Sequence, residues 1–296
     1  MVDWKLFLKV PNAPYSNSLM ASENKKMKDN KHIERDGQEA AKIFDNRSLK
    51  VDYRTLEPIL KEGMLVLDVG CGTGAISKDI ANFVGKTGKV IGIDNTEKFI
   101  KSGKITYENA KNLELIHSDI FDFEPRQKFD LIVSARVLQW LSNPKVALIK
   151  MKSLLKPNGQ ISILDYNHNK LEWNPEPPES MKSFYNTFLM WRTDAGMNNG
   201  IADDLPNLFE EIGLSSVEKI NSDEHYEKDR SDFKSKVGIW SKVAGSEQMV
   251  EEGYLDNDLR LKAIKEYNEW VDNKAISMTM KLNEVRGKIK PTTNTA

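Results

Sequence analysis

Two kinds of hydrophobic spacing alternate along the middle of the chain. Short apolar runs, Leu65–Val69, Val90–Ile93, Leu113–His117, Phe129–Val133 and Ile161–Leu164, are each too brief for a helix and are closed by glycine, serine or aspartate. Such runs read as strands buried on both faces. Between them the apolar residues fall three or four apart, as in Ile76, Ile80 and Val84, or Leu148, Met151 and Leu155. That period draws one apolar stripe along a helix. Strand alternating with helix predicts an α/β fold around a parallel sheet, with four connecting helices and right-handed crossovers.

Outside this span the pattern changes. Residues 1–62 read as an N-terminal helical segment: Ser22 as a cap, a lysine-rich stretch from Lys25 to Lys31, then stripes at Ala40, Ile43 and Phe44 and at Leu49, Tyr53, Leu56 and Leu60, the last disturbed by Pro58. Residues 63–165 form the core, and 166–204 interrupt it as a cap insertion. There Trp173 and prolines at 175, 177 and 178 precede a helix whose Phe184, Phe188 and Trp191 share one face. Residues 205–228 continue the core with a helix and a strand. Residues 229–273 are a second helical insertion carrying Trp240 and Trp270, 274–290 hold the last core strand, and 291–296 are a polar tail.

Composition narrows the class of partner. The 43 basic and 44 acidic residues nearly cancel, so no global field favours nucleic acid or an anionic membrane. The run from Lys25 to Lys31 reads as a solvated helix face before it reads as a nucleic-acid contact. Cys71 is the only cysteine, which excludes an internal disulfide and a thiolate metal cage. Histidines and carboxylates show no ligand spacing, so no metal is expected. Nothing approaches the ~20 apolar residues of a membrane span, and Lys5 and Lys9 flank Leu6-Phe7-Leu8 too closely for a signal peptide. A cytoplasmic protein is expected, either monomer or homodimer.

The chemistry gathers after the first strand, in Asp68-Val-Gly70-Cys71-Gly72-Thr-Gly74. Glycines let the chain bend through positive φ and let a ligand lie against backbone N–H groups at a helix start. A carboxylate within the apolar strand is costly unless it is paired or binds something. The dinucleotide fingerprint spaces its glycines differently, with two residues before the third. The loop instead resembles motif I of the class I S-adenosylmethionine-dependent methyltransferases, Asp/Glu-x-Gly-x-Gly-x-Gly. The resemblance implies a Rossmann-like, doubly wound, mostly parallel sheet of seven strands, the last antiparallel, with helical cap insertions. It also implies S-adenosyl-L-methionine as cofactor and S-adenosyl-L-homocysteine as product, with Asp68, Gly70, Cys71, Gly72 and Gly74 around the methionine end.

Further positions follow in order. Asp94 closes the second strand at the distance from Gly70 expected of a ribose-binding carboxylate; a helix cap for the segment after Asn95 is the plainer alternative. Asp119 and Ile120 match the family's adenine-binding position, while an Asx turn fits Asp119 equally well. Ser134 and Ala135 end the fourth strand beside the expected cofactor. Ser134-Ala-Arg136-Val-Leu-Gln139-Trp140 resembles the family's Leu-His-His or Leu-His-Trp stretch, with Gln139 where histidine is frequent. Leu155-Lys-Pro-Asn158-Gly159 resembles its Leu-Lys-Pro-Gly-Gly turn. The likeness is strongest to the small-molecule branch, such as quinone-biosynthesis methyltransferases.

Methyl transfer needs alignment more than a base, and no base stands out at motif grade. Tyr15, Tyr166, His168 and Arg192 are the candidates. For His168 a solvated loop histidine is the leading alternative, and Phe184, Phe188 and Trp191 serve equally as cap core or substrate wall. The expected activity is methyl transfer to an oxygen, nitrogen or carbon of a small molecule. The rivals are a non-catalytic S-adenosylmethionine-binding regulator and an NAD-dependent oxidoreductase. An amino-methylating nucleic-acid enzyme would carry Asn/Asp-Pro-Pro-Tyr where Ser134-Ala-Arg136 stands; Asn12-Ala-Pro-Tyr15 lies too far upstream to serve.

Overall fold

The computed structural model describes residues 47–290. Tyr15, Ser22, the lysine-rich run, the stripe at Ala40 to Phe44 and the tail from 291 lie outside the described residues. Leu65–Val69 (β1), Lys89–Asp94 (β2), Leu113–His117 (β3), Phe129–Ala135 (β4) and Leu155–Asn174 (β5) form the parallel part of the sheet. Leu214–Asn221 (β6), Glu224–Glu227 (β7) and Ser277–Ile289 (β8) complete it, with β8 antiparallel to β5, β6 and β7. The spatial order is β3-β2-β1-β4-β5-β8-β6, with β7 also on β8. The strand order reverses between β1 and β4, where open α/β sheets bind ligands at the carboxyl ends of their strands.

Both faces of the sheet are covered, which explains the unbroken apolar runs. On one face Leu67, Ile91, Ile132 and Ile163 pack with Leu148 and Met151 of helix Pro144–Ser153 and Leu205 and Phe209 of helix Ile201–Glu211. On the other, Val66, Val90, Leu131 and Val133 pack with Ile76, Ile80 and Val84 of helix Ala75–Val84 and with Tyr53 and Leu56. In chain order the helices of the described residues are Leu49–Asp52 (α1), Ala75–Val84 (α2), Glu97–Thr106 (α3), Pro144–Ser153 (α4), Glu179–Asp194 (α5), Ile201–Glu211 (α6), Phe233–Val237 (α7), Ile239–Val243 (α8), Gln248–Glu251 (α9) and Asn257–Asn273 (α10). Helix α4 starts as its Asn-Pro signal predicts, the Asn143 side chain accepting from Val146 N at 3.3 Å.

A third apolar cluster builds the cap. Phe184, Tyr185, Phe188 and Trp191 of α5 pack against Trp240 of α8 and Tyr267 and Trp270 of α10. The aromatic stripe is therefore buried cap core.

Four features depart from the sequence expectation. The sheet has eight strands, not seven, because Glu224–Glu227 adds to β8. No helix joins β3 to β4: residues 118–128 cross as a loop, anchored by Ile120 and Phe123 in the core and closed to helix by Pro125. The stripe from Leu49 to Leu60 is one short helix and a separate turn, Glu57–Ile59, with proline inside it. Strand β5 does not stop near Leu164. It pairs with β8 as far as Asn174, opposite Ser277, past a register shift between Asn167 and Glu172. That extension alternates polar with half-buried Leu171 and Trp173, so it lacks the continuous apolar signature of the inner strands.

Candidate active site

The glycine loop leaves β1 and enters α2 with Gly70, Gly72 and Gly74 at φ of 73°, 59° and 89°. All three conformations are open to glycine at little cost. The loop is tied to β2, as Gly70 N and Cys71 N donate to Ile93 O at 2.8 and 3.0 Å. Its floor is Gly103 of α3, where a Cβ would stand 2.1 Å from Thr73 O. Asp68 is buried beneath it and accepts from Ser77 Oγ at 2.6 Å. Burial pushes its carboxyl up to about 6, against the pull of that hydrogen bond.

Asp94 does two things at once. One carboxylate oxygen accepts from Gly72 N and the other from Thr96 N, each at 2.9 Å. It therefore braces the glycine loop and also the entry to α3, and each oxygen keeps a further acceptor site. Asn95 lies next to it, its carbonyl bonded to the His117 ring at 3.1 Å. Asp119 forms the Asx turn, accepting from Phe121 N at 2.9 Å, and Ile120 is buried in the core. Ser134 is fully buried, and its hydroxyl donates to Val69 O at 2.8 Å, clamping the ends of β4 and β1 together beside Ala135.

A second group of polar residues lies just past the end of β4 and in the middle of β5, where β5 runs on beyond its pairing with β4. His168, expected as a loop histidine, is instead on β5 and buried under the aromatics of the cap, 6.0 Å from the Trp240 ring and 5.3 Å from Tyr166 between centroids. Its Nε2 lies 2.6 Å from Gln139 Oε1. That oxygen also accepts from Arg192 Nη2 at 3.4 Å, while the Gln139 amide nitrogen donates to Arg136 O at 3.4 Å. The Gln139 oxygen is thus the acceptor, so Nε2 of His168 carries the proton and Nδ1 the lone pair. Burial, with Arg192 nearby, holds His168 well below the usual histidine range, in its neutral form.

Arg192 is completely buried and joins cap to core. Its Nε donates to Asn199 Oδ1 at 2.7 Å and its Nη2 to Gln139 O at 2.9 Å, and its guanidinium lies 4.3 Å from the Trp140 ring centroid. Asp165 accepts from Gln139 N at 3.1 Å and Tyr166 N at 2.9 Å. Burial pushes its carboxyl to about 6 although both amides and Arg192 oppose the shift. Tyr166, His168 and Arg192 thus fall within one seam around Gln139. Arg136, Gln139, Asp165 and Thr73 were missed as site residues. Gln139 stood where histidine was sought, and the others gain meaning only from partners distant in sequence.

A family model described as a methyltransferase domain matches residues 60–227. The chain belongs to that family and is a class I S-adenosylmethionine-dependent methyltransferase. It is 29% identical over 177 residues to a demethylmenaquinone methyltransferase of Staphylococcus aureus, covering 53% of this chain and 70% of that one. Among solved structures, the YcgJ protein of Bacillus subtilis shares the fold at TM-score 0.52 and 14% identity, over 81% of this chain and 98% of that one. So does a phosphoethanolamine N-methyltransferase of Haemonchus contortus, solved with S-adenosylhomocysteine, at TM-score 0.51 and 14% identity, over 94% of this chain and 58% of that one.

The loop holds one polar group still to be matched by a ligand. Thr73 Oγ1, buried within it, has no hydrogen-bond partner among the described residues. No cluster of metal-ligating side chains occurs among the described residues, and no helix there is long and apolar enough to cross a membrane.

Proposed function

We propose that the protein methylates a small organic molecule held under the aromatic cap, at the carboxyl end of β4 and the adjoining middle of β5. The observation that carries this is the buried seam Asp165–Gln139–His168–Arg192, whose Gln139 stands two residues from Val137, the side chain that packs on Gly70, and which ends among the cap aromatics. A roofed seam of this kind favours a small acceptor over a polymer. The Staphylococcus relative, a demethylmenaquinone methyltransferase, supports the same class.

In this reading Asp94 takes the ribose hydroxyls on its remaining lone pairs, with Asn95 beside it. Asp119 and the Ile120 backbone meet the adenine, and Gly70, Cys71, Gly72 and Gly74 make room for the methionine end, with Thr73 as a spare donor. Asp68 holds the loop from below through Ser77, while Ser134 and Ala135 form the wall. S-adenosylmethionine, when bound, supplies an electrophilic methyl group on a positively charged sulfur. The chain's own work is alignment, which contributes roughly 7–11 kcal/mol to such reactions. His168, held neutral with its lone pair on Nδ1, accepts a hydrogen bond from the acceptor and orients it, and the cap excludes water.

The test is methyl release from labelled S-adenosylmethionine across a metabolite panel, repeated with His168→Asn. The expected result is turnover of a small molecule and a fall in kcat of about two- to tenfold in the variant, with S-adenosylhomocysteine affinity retained. A chain that binds S-adenosylhomocysteine yet turns over nothing is a regulator. One that binds NAD instead refutes the cofactor assignment as well.

A further inference from the structure

One buried charge at the end of β4 has no task in the scheme above. Arg136 follows β4 directly with φ of 62°, a conformation that side-chain-bearing residues rarely adopt and that gathers at functional sites. Its side chain is 3% exposed. Nε donates to Tyr166 Oη at 2.8 Å and Nη2 pairs with Glu224 Oε1. The other Glu224 oxygen is taken up by Tyr166 Oη at 3.2 Å and Tyr226 Oη at 2.9 Å. Nη1, equally buried, has no hydrogen-bond partner among the described residues.

Buried donors on a full positive charge are seldom left unmatched. The place is also suggestive. Val137, the next residue, leans on the cofactor loop so closely that a Cβ on Gly70 would lie 2.3 Å from Val137 Cγ2. On the other side Tyr166, bonded to Arg136, faces His168. The guanidinium is thus fixed on two edges by Tyr166 and Glu224, with a third edge unspent, on a residue whose chain neighbour Val137 packs on the glycine loop. Guanidinium N–H groups match oxyanions in shape and charge.

We infer that Arg136 Nη1 receives an oxyanion: a carboxylate, phenolate or enolate oxygen of the ligand in the crevice. This rests on the methyltransferase reading and adds to it what the ligand must carry. Two sources share the chemistry, an acidic oxygen on the acceptor and the carboxylate at the methionine end of the cofactor.

Calorimetry on the full chain separates them with two ligand pairs. The first is S-adenosylhomocysteine against its decarboxylated analogue. The second, on protein saturated with S-adenosylhomocysteine, is 1-hydroxy-2-naphthoate against its uncharged amide. The wild type is expected to prefer the charged member of one pair by about tenfold or more, and Arg136→Gln to lose that preference. Preference in the first pair assigns the oxyanion to the cofactor, and in the second to the acceptor. Glu224→Gln leaves Arg136 in place and is expected to keep or sharpen the preference, which guards against a variant that merely misfolds. No preference in either pair, a preference kept by Arg136→Gln, or one lost in Glu224→Gln overturns the inference. Bound S-adenosylhomocysteine without charge preference sinks this inference alone, whereas failure of the wild type to bind it sinks the parent reading too.

Discussion

Asp94 carries a load on both oxygens before any ligand arrives, so its removal acts twice. Asp94→Ala is expected to weaken S-adenosylhomocysteine binding by about 1.5–3 kcal/mol, the worth of hydrogen bonds to a charged group. It also frees Gly72 N and Thr96 N, so calorimetry and thermal unfolding should both register the change. Asp68 answers to pH instead. Its carboxyl is raised from 3.8 to about 6 by burial, so the folded chain holds that proton more tightly than the unfolded one. Its stabilising contribution is complete below about pH 4 and is lost as pH rises through about 6. Asp68→Asn, which stays neutral, is expected to gain on the wild type across that window by up to about 3 kcal/mol in denaturant titrations. Spacing alone drew attention to Asp68, Asp94 and the glycines, because their neighbours are close in sequence. The burial of His168, the pairing of Arg136 with Glu224 and the spare hydroxyl of Thr73 were not legible, since each depends on tertiary packing.

At the scale of elements, α3 shows how a helix serves a site it does not enter. Gly103 is a poor helix former, and alanine there would stabilise an isolated helix by about 0.8–1.0 kcal/mol. Here a Cβ would stand 2.1 Å from Thr73 O, so the clash outweighs the propensity. Gly103→Ala is expected to lower the melting temperature and to weaken S-adenosylhomocysteine binding together, because the helix must back away and take the loop with it. A higher melting temperature would show that the helix has room to yield. The inner strands and α2 were readable from period alone, and α4 from its Asn-Pro start. The β3–β4 crossing was not: a helix was assumed where Pro125 and two anchoring apolar residues make a loop. Strand β7 escaped notice because Glu-His-Tyr-Glu has one apolar side chain, and main-chain pairing to β8 defines it.

For the whole molecule, ligand binding should appear as stability. S-adenosylhomocysteine at a hundred times its Kd is expected to add about 2.7 kcal/mol to the folded state. That corresponds to a rise of roughly 5–10 °C in melting temperature for a domain of this kind, with no comparable rise from NAD. Differential scanning fluorimetry reads both, and the reverse ranking would contradict the cofactor. The general architecture was visible in the alternation of runs and stripes, whereas the join between core and cap was not. Sequence suggested a separate insertion after Asp165, but β5 and β8 carry on together beyond it, with Trp173 opposite Met278 and Asn174 opposite Ser277. The roof over the seam therefore stands on masonry shared with the foundation. It cannot swing away on a loose tether, because lifting it would unzip main-chain rungs that continue into the heart of the sheet. In the proposed reading, traffic of ligand in and out passes beside that pillar and leaves it standing.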